Sequence, residues 1–426
     1  MTTPVDAFAA IRHPFVRALA LGRMSGVIGT QIINVAVGWQ LYERTGSALS
    51  LGLVGLFELT PVLFLMIPAG NAADRFARRN IAMMAQSVAG IGALGLMAVS
   101  WLQGPVNLIY AMLMLIGAAR AFSSPAVGTM MPQLLKSEQF VNANAWLSSA
   151  FQFASISGPA IGGLIIGVTG GTKWAYFTAA VGQLIFVVAF SRLPAIAPPE
   201  AAEKRKFADV FAGFGFIRRT PVFLAAITLD MFAVLLGGAV VLLPIFAKDI
   251  LHVGPEGLGW LRAAPSVGSL TMLMIITRLK PMARPGLALL FVVVGFGLAI
   301  IGFGLSTNFF LSMACLYMTG MFDSVSVIIR STLEQVVTPH RLRGRVSAIN
   351  YVFIGFSNEF GAFESGATAA LFGPINSVVG GGIGTILVVV VVALIWPALV
   401  RIGPLHTLKP EEEADVVAVT EARHSI

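Results

Sequence analysis

Eight ionisable side chains fall inside stretches that are otherwise apolar: Arg23, Glu58, Arg120, Asp230, Arg262, Asp323, Glu359 and Glu364. Away from water a carboxylate can take up or release a proton and a guanidinium can hold an anion, so chemistry in this chain would run through these residues. At the centre of a lipid-facing helix each would cost roughly 2.5 to 3.5 kcal/mol. All eight together would cost on the order of 20 kcal/mol, more than a typical folding stability. They must therefore face one another or water. Arg262, near a helix end, could instead extend its head group to the membrane surface. Glu359 and Glu364 lie on different faces of one helix and are expected to divide roles, with Glu359, nearer the middle, taking part in coupling.

The elements that carry these residues follow from composition. Hydrophobic residues make up 57% of the 426-residue chain and charged residues 11%, against roughly 25% charged in a soluble domain. This is the make-up of a membrane protein. Apolar runs long enough to cross a hydrocarbon core lie near 15–42, 48–70, 80–101, 105–130, 141–168, 173–192, 220–247, 257–277, 286–305, 308–330, 344–372 and 376–400. Backbone groups in lipid must be satisfied within each run, so the fold expected is all-α with twelve transmembrane helices.

Charge sets the orientation. With the turn from Gly70 to Arg79 in the cytoplasm, Arg44, Lys173 and Lys248 fall outside and Arg23, Arg120 and Arg262 fall within helices. The remaining Lys and Arg of the 28 are cytoplasmic, as are both termini. The net charge of +8 is then spread over loops that face anionic lipid head groups, and nucleic acid is not an expected partner.

The expected units are an N-terminal six-helix bundle over 1–192, a cytoplasmic linker over 193–219, a C-terminal six-helix bundle over 220–404 and a disordered cytoplasmic tail over 405–426. In the linker, Phe207, Phe211, Phe214 and Ile217 at helical spacing predict an amphipathic helix on the membrane surface, with a plain flexible loop as the alternative. The halves resemble each other. Arg12 to Pro14 aligns with Arg219 to Pro221, Gly55 to Pro61 with Gly259 to Pro265, and Gly117 with Gly320. These registers set Arg23 against Asp230, Glu58 against Arg262 and Arg120 against Asp323. A duplicated fold follows, with a polar cavity shared between the halves, cationic groups on one wall and carboxylates on the other.

The turn Gly70-x-x-x-Asp74-Arg75-x-x-Arg78-Arg79, between the second and third of twelve helices, resembles the loop that marks the major facilitator superfamily. The resemblance implies two pseudo-symmetric six-helix bundles with helices one, four, seven and ten around a central cavity. Those helices carry Arg23, Arg120, Asp230 and Asp323. The stretches Gly117 to Ala126, Gly158 to Gly163, Arg343 to Val346 and Ser357 to Gly366 are similar to the branch that contains the enterobactin exporter and macrolide efflux proteins. That similarity implies export from the bacterial cytoplasm, driven by protons. The matching turn of the second half, Arg278 to Arg284, has lost the acidic residue, so the two loops are not expected to act symmetrically.

Asp74, beside the start of the third helix, is expected to meet backbone N-H groups or a helix dipole. Arg75, Arg78 and Arg79, with Arg343 and Arg345, are expected to bridge the halves on the inner face and so favour the outward-open state. In the fifth helix Gly158 and Gly162 share a face and Pro159 permits a bend. With Gly163, this stretch reads either as close packing or, by the resemblance, as an antiporter motif.

No catalytic or metal-ligand constellation is present around His13, His252, His340, His406 or His424, and there is no phosphate-binding loop. The single Cys315 reads as a small buried hydrophobe. The protein is therefore expected to be no enzyme and to need no cofactor. Its partners would be a small-molecule substrate, protons and membrane lipids, acting as a monomer in the bacterial inner membrane. The function expected is alternating-access, proton-coupled export of a siderophore or drug-like amphiphile. A lysophospholipid flippase, an importer or a non-transporting receptor on the same fold remain open at this stage.

Overall fold

The computed structural model describes residues 8–128, 130–131, 140–196, 214–279, 282–339 and 342–405. Among the described residues twelve long helices succeed one another: α1 Pro14–Thr45, α2 Ala48–Arg75, α3 Arg78–Trp101, α4 Val106–Gly128, α5 Phe140–Thr169 and α6 Lys173–Ser191, then α7 Pro221–Leu236, α8 Gly254–Ile276, α9 Pro285–Leu305, α10 Phe309–Val337, α11 Arg343–Phe372 and α12 Pro374–Ile395. Proline opens α1, α7, α9 and α12, where its missing N-H is not needed. The Asn308 side chain caps α10 by accepting from the N-H groups of Phe310 and Leu311 at 3.0 and 3.1 Å. Gly46 ends α1 at φ 59°, a left-handed cap that costs glycine little.

Ten helices among the described residues are long and apolar enough to span a membrane. The two that fall short are α1 and α11, and both spend polar side chains inside the protein. The Tyr176 hydroxyl of α6, for example, donates to Gln40 Oε1 of α1 at 2.7 Å. Twelve spans thus come from the architecture and ten from hydropathy alone.

Packing repeats between the halves. In the first, α1 packs on α5 and α6, α4 on α2 and α3, and α3 on α6. In the second, α7 packs on α11 and α12, α10 on α8 and α9, and α9 on α12. The glycines of the aligned registers repeat the same job. A Cβ on Gly117 of α4 would lie 2.9 Å from Pro61 of α2, and one on Gly320 of α10 would collide with Pro265 of α8.

The bundles touch through α2 with α11 and α5 with α8. Both seams close at the end away from the Gly70 to Arg79 turn. Gly52 faces Gly366 and Gly55 faces Ala362 in the first, and Gly163 faces Gly259 in the second. At that end the Tyr42 hydroxyl of α1 also donates to the carboxylate of Asp249 after α7, with the Lys248 ammonium 5.8 Å from the Tyr42 ring centre. The opposite, basic end carries the arginines at the helix termini: Arg75, Arg78, Arg79, Arg192, Arg278, Arg284, Arg343 and Arg345.

Three elements differ from the sequence reading. The apolar run of 220–247 is one stretch in sequence, yet α7 stops at Leu236 and continues as a 3-10 turn Ala239–Leu242, a turn Leu243–Ile245 and a π turn Phe246–Ile250. The pair Gly237 and Gly238 weakens the helix, and Pro244 cannot donate to it. Helix α10 runs on to Val337, which places Arg330 inside it. Helix α2 runs on to Arg75, so Asp74 lies in its last turn and the cap of α3 is Ala77, with no side-chain bond. Of the linker, residues 214–219 are helical with Ile217 buried and Phe214 exposed. Phe207, Phe211 and the tail beyond Leu405 lie outside the described residues.

Candidate functional site

The charged residues sort into two clusters rather than onto two facing walls. The first spans the seam between bundles. Arg120 Nη1 of α4 donates to Glu359 Oε1 of α11 at 2.9 Å and lies 3.6 Å from Glu58 Oε2 of α2. Glycines create this meeting point. A Cβ on Gly55 would lie 2.5 Å from the Glu359 carbonyl, and one on Gly117 would lie 2.5 Å from the Glu58 carbonyl. Only residues without a side chain let three backbones come this close. The Arg120 side chain is nonetheless 50% exposed, against 13% for Glu58 and 18% for Glu359. Its guanidinium therefore keeps an accessible side while the two less exposed carboxylates hold it.

Arg262 of α8 joins this cluster instead of reaching for the membrane surface. It interacts electrostatically with Glu58 and lies against Gly38 of α1, 3.5 Å from where a Cβ would stand. Its Nε is buried with no hydrogen-bond partner among the described residues. The fixed walls around it and the pull of Glu58 explain why the side chain stays inward. With two guanidiniums and two carboxylates the cluster balances in charge.

The second cluster is inside the C-terminal bundle. Asp230 of α7 and Arg330 of α10 form an ion pair with side chains 9% and 8% exposed. Arg330 Nε also donates to Ser326 Oγ at 3.2 Å. Asp323, about two turns earlier on α10, feels the same guanidinium. A cavity of about 20 Å³ lies beside them, lined by Asp230, Asp323 and Ser326 and otherwise by apolar side chains of α7, α9 and α10 such as Val293, Phe296 and Phe322. Two carboxylates share one cation here, so the cluster carries one negative charge in excess when all three are ionised.

Arg330 is the residue that sequence reading missed. It sits at the edge of an apolar run, and a span ending near 330 puts it at the membrane surface among the basic loops. The available signal was Ser326, one turn before it, and the helical continuation through Leu333 and Val337 on the same face. Arg23 of α1 joins neither cluster and makes no ion pair among the described residues. Glu364 faces a different pocket, between α11 and α12.

Two of the basic residues at the helix ends, Arg79 and Arg343, bond within their own halves. Arg79 Nη1 donates to the carbonyl of Leu193, just past α6, at 2.6 Å. Arg343 donates to the carbonyls of Gln335 at 2.9 Å and Thr338 at 3.3 Å, capping α10. A guanidinium at a helix C-terminus satisfies orphan carbonyls and meets the negative end of the dipole. In this conformation Arg79 and Arg343 thus cap helix ends within their own halves; the bridging expected from the sequence belongs to a state in which the basic ends of the halves meet. In α5, Gly158 and Gly162 pack against Gln31 and Ile32 of α1, while Gly163 meets α8; Pro159 sits between them with its carbonyl against Gly259. Among the described residues no group of three His, Cys, Asp or Glu could hold a metal.

Comparison with known proteins decides what this arrangement is. The sequence profile of the Major Facilitator Superfamily matches residues 19–362. The chain belongs to this superfamily. Named relatives include the enterobactin exporter EntS of Shigella boydii serotype 18, 28% identical over 390 residues, which cover 91% of this chain and 93% of that protein. The enterobactin exporter EntS of Escherichia coli O139:H28 matches with the same identity and coverage. Among solved structures, a bacterial homolog of the human lysosomal transporter Spinster, in an inward-facing and unoccupied conformation, superposes with a TM-score of 0.70 at 14% identity, covering 91% of this chain and 96% of that one. A POT family transporter in complex with 5-aminolevulinic acid superposes at 0.74 with 10% identity and the same coverage. As a transporter of this superfamily, the molecule is a multi-pass membrane protein and not an enzyme.

Proposed function

We propose that this transporter exports a small amphiphilic molecule, a siderophore or a drug-like compound, from the bacterial cytoplasm in exchange for protons. It would sit in the cytoplasmic membrane with both termini and the basic end inside. The single observation that carries the reading is the ion pair of Arg120 with Glu359, half exposed at the bottom of the seam. An anionic group on the substrate competes with Glu359 for the guanidinium, and a proton on Glu359 weakens the same bond. Either event loosens a contact that ties the bundles together, so binding is linked to rocking of the halves. The closed seams at the far end support reading this conformation as open toward the basic end, which would face the cytoplasm.

Asp230 and Asp323 take the driving proton. Their cluster has one carboxylate more than it has cations, and the extra charge is costly inside an apolar bundle, so one proton restores the balance. The similarity to enterobactin exporters supports a siderophore as cargo. The test uses purified protein in liposomes with an imposed pH gradient. Wild-type efflux should follow the gradient, and Asp230→Asn and Asp323→Asn should each abolish gradient-driven efflux while leaving the protein folded. Wild-type transport by both variants would falsify the proton assignment. Growth of a deletion strain under iron limitation, set beside its sensitivity to a panel of antibiotics, separates siderophore from drug as cargo.

A further inference from the structure

A cavity of about 370 Å³, in the range of small-ligand sites, lies between α11, α12 and the end of α7, apart from both charge clusters. Glu364, Thr368, Asn376 and Ser377 supply its polar wall, and Leu236 and Phe372 its apolar one. Glu364 is five residues beyond Glu359 and so about 140° around α11 from it. Within a membrane-spanning helix it has no ion-pair partner among the described residues, and the one hydrogen bond to its carboxylate is from the neighbouring Ser365 hydroxyl at 3.5 Å.

The hydrogen-bond inventory of the wall leaves one carboxylate without a counter-charge. Thr368 Oγ1 reaches the backbone carbonyl of Glu364 at 2.9 Å, and Ser377 Oγ reaches that of Ser365 at 3.1 Å, so both hydroxyl protons have acceptors. The Asn376 amide nitrogen donates to the Phe372 carbonyl at 2.8 Å. What remains toward the cavity is the Glu364 carboxylate, an anionic acceptor, and beside it the Asn376 amide with Oδ1 and its second N-H. A matching group must be cationic and rich in donors. The exposed apolar rim at Phe372 asks for an apolar body attached to it.

We propose that this pocket binds the primary ammonium group of an amphiphile. The group presents three donors and a positive charge to Glu364 and Asn376, while the apolar part lies along α11 and α12. Its source is either an amine-bearing lipid or a cationic amphiphilic small molecule. A quaternary ammonium, having the charge but no N-H, fits poorly.

The experiment is native mass spectrometry of the full-length protein in detergent, offered phosphatidylethanolamine and phosphatidylcholine with identical acyl chains. Wild type should retain the ethanolamine lipid about tenfold or more over the choline lipid, and Glu364→Gln should erase that preference. Asn376→Leu should weaken it with the carboxylate intact, which keeps the test valid if Glu364→Gln folds poorly. Dodecylamine added to wild type separates the sources. Displacement of the lipid shows that the ammonium suffices, so a small-molecule amphiphile can occupy the site. Failure to displace, with the Glu364 dependence retained, assigns the site to the lipid. Equal retention of the two lipids by wild type, or retention by Glu364→Gln equal to wild type, overturns the proposal.

Discussion

The two charge clusters differ in how much their loss should cost, and exposure decides the order. Arg330 and Asp230 are buried on every side, so Arg330→Leu strands two carboxylates in an apolar bundle. Removing one partner of a buried pair costs about 3 to 5 kcal/mol. The melting temperature of the purified protein should fall sharply, and adding Asp230→Asn to Arg330→Leu should restore much of it. Arg120 is half exposed, so Arg120→Gln should cost only about 1 kcal/mol. A thermal-unfolding series on the four proteins checks the order, and equal losses for Arg330→Leu and Arg120→Gln would contradict it. At this scale the sequence revealed which residues are charged where lipid should be, and left their partners hidden. Glu58, Arg262 and Glu359 come together through glycines on three different helices, a relation that spacing along the chain does not encode. Arg330 escaped because an apolar run says where a helix is greasy and not where it ends.

Helices here are positioned by what their small residues allow. Gly163 and Gly259 bring α5 and α8 together at the closed end, and a Cβ on Gly259 would lie 2.6 Å from the Pro159 carbonyl. Gly259→Val should force that seam apart while each bundle keeps its own core, since the clash falls between bundles. Spin labels on Thr169→Cys of α5 and Phe310→Cys of α10, in a Cys315→Ser background, should report a longer distance in the Gly259→Val protein. An unchanged distance would mean that α5 and α8 do not set the closure. Element existence was legible because apolar runs of membrane length admit only helices. The break in α7 was not, because Gly237, Gly238 and Pro244 are all tolerated inside membrane helices when neighbours satisfy the freed backbone groups. The same holds for the end of α2. Asp74 and Arg75 look like a loop by charge, yet a helix leaving the apolar layer at its basic end carries charge at no cost.

On the scale of the whole molecule, alternating access requires the seam that is closed now to open later in the cycle. Gly52 of α2 and Gly366 of α11 face each other across that seam, with a Cβ on Gly52 3.0 Å from the Gly366 Cα. Those backbones are too near for a disulfide at the glycines themselves, but across the companion seam a Cβ on Gly167 of α5 would stand 2.5 Å from Glu256 Cγ of α8. The pair Gly167→Cys and Glu256→Cys, again with Cys315→Ser, should cross-link on oxidation and hold the bundles together at the end away from the arginines. Two outcomes are open. If the halves rock about the seam, oxidised protein in liposomes should lose transport, and reduction should restore it to the level of the unoxidised double variant. If substrate passes without opening that end, a confirmed cross-link should leave the transport rate unchanged, and the rocking mechanism fails. The distinction is energetic as well as geometric. A covalent bond removes one state of a two-state equilibrium completely, whereas losing the Arg120 to Glu359 pair only shifts its population by the modest free energy of a half-exposed ion pair. Glu359→Gln should therefore change transport by degree, and the oxidised cysteine pair should stop it.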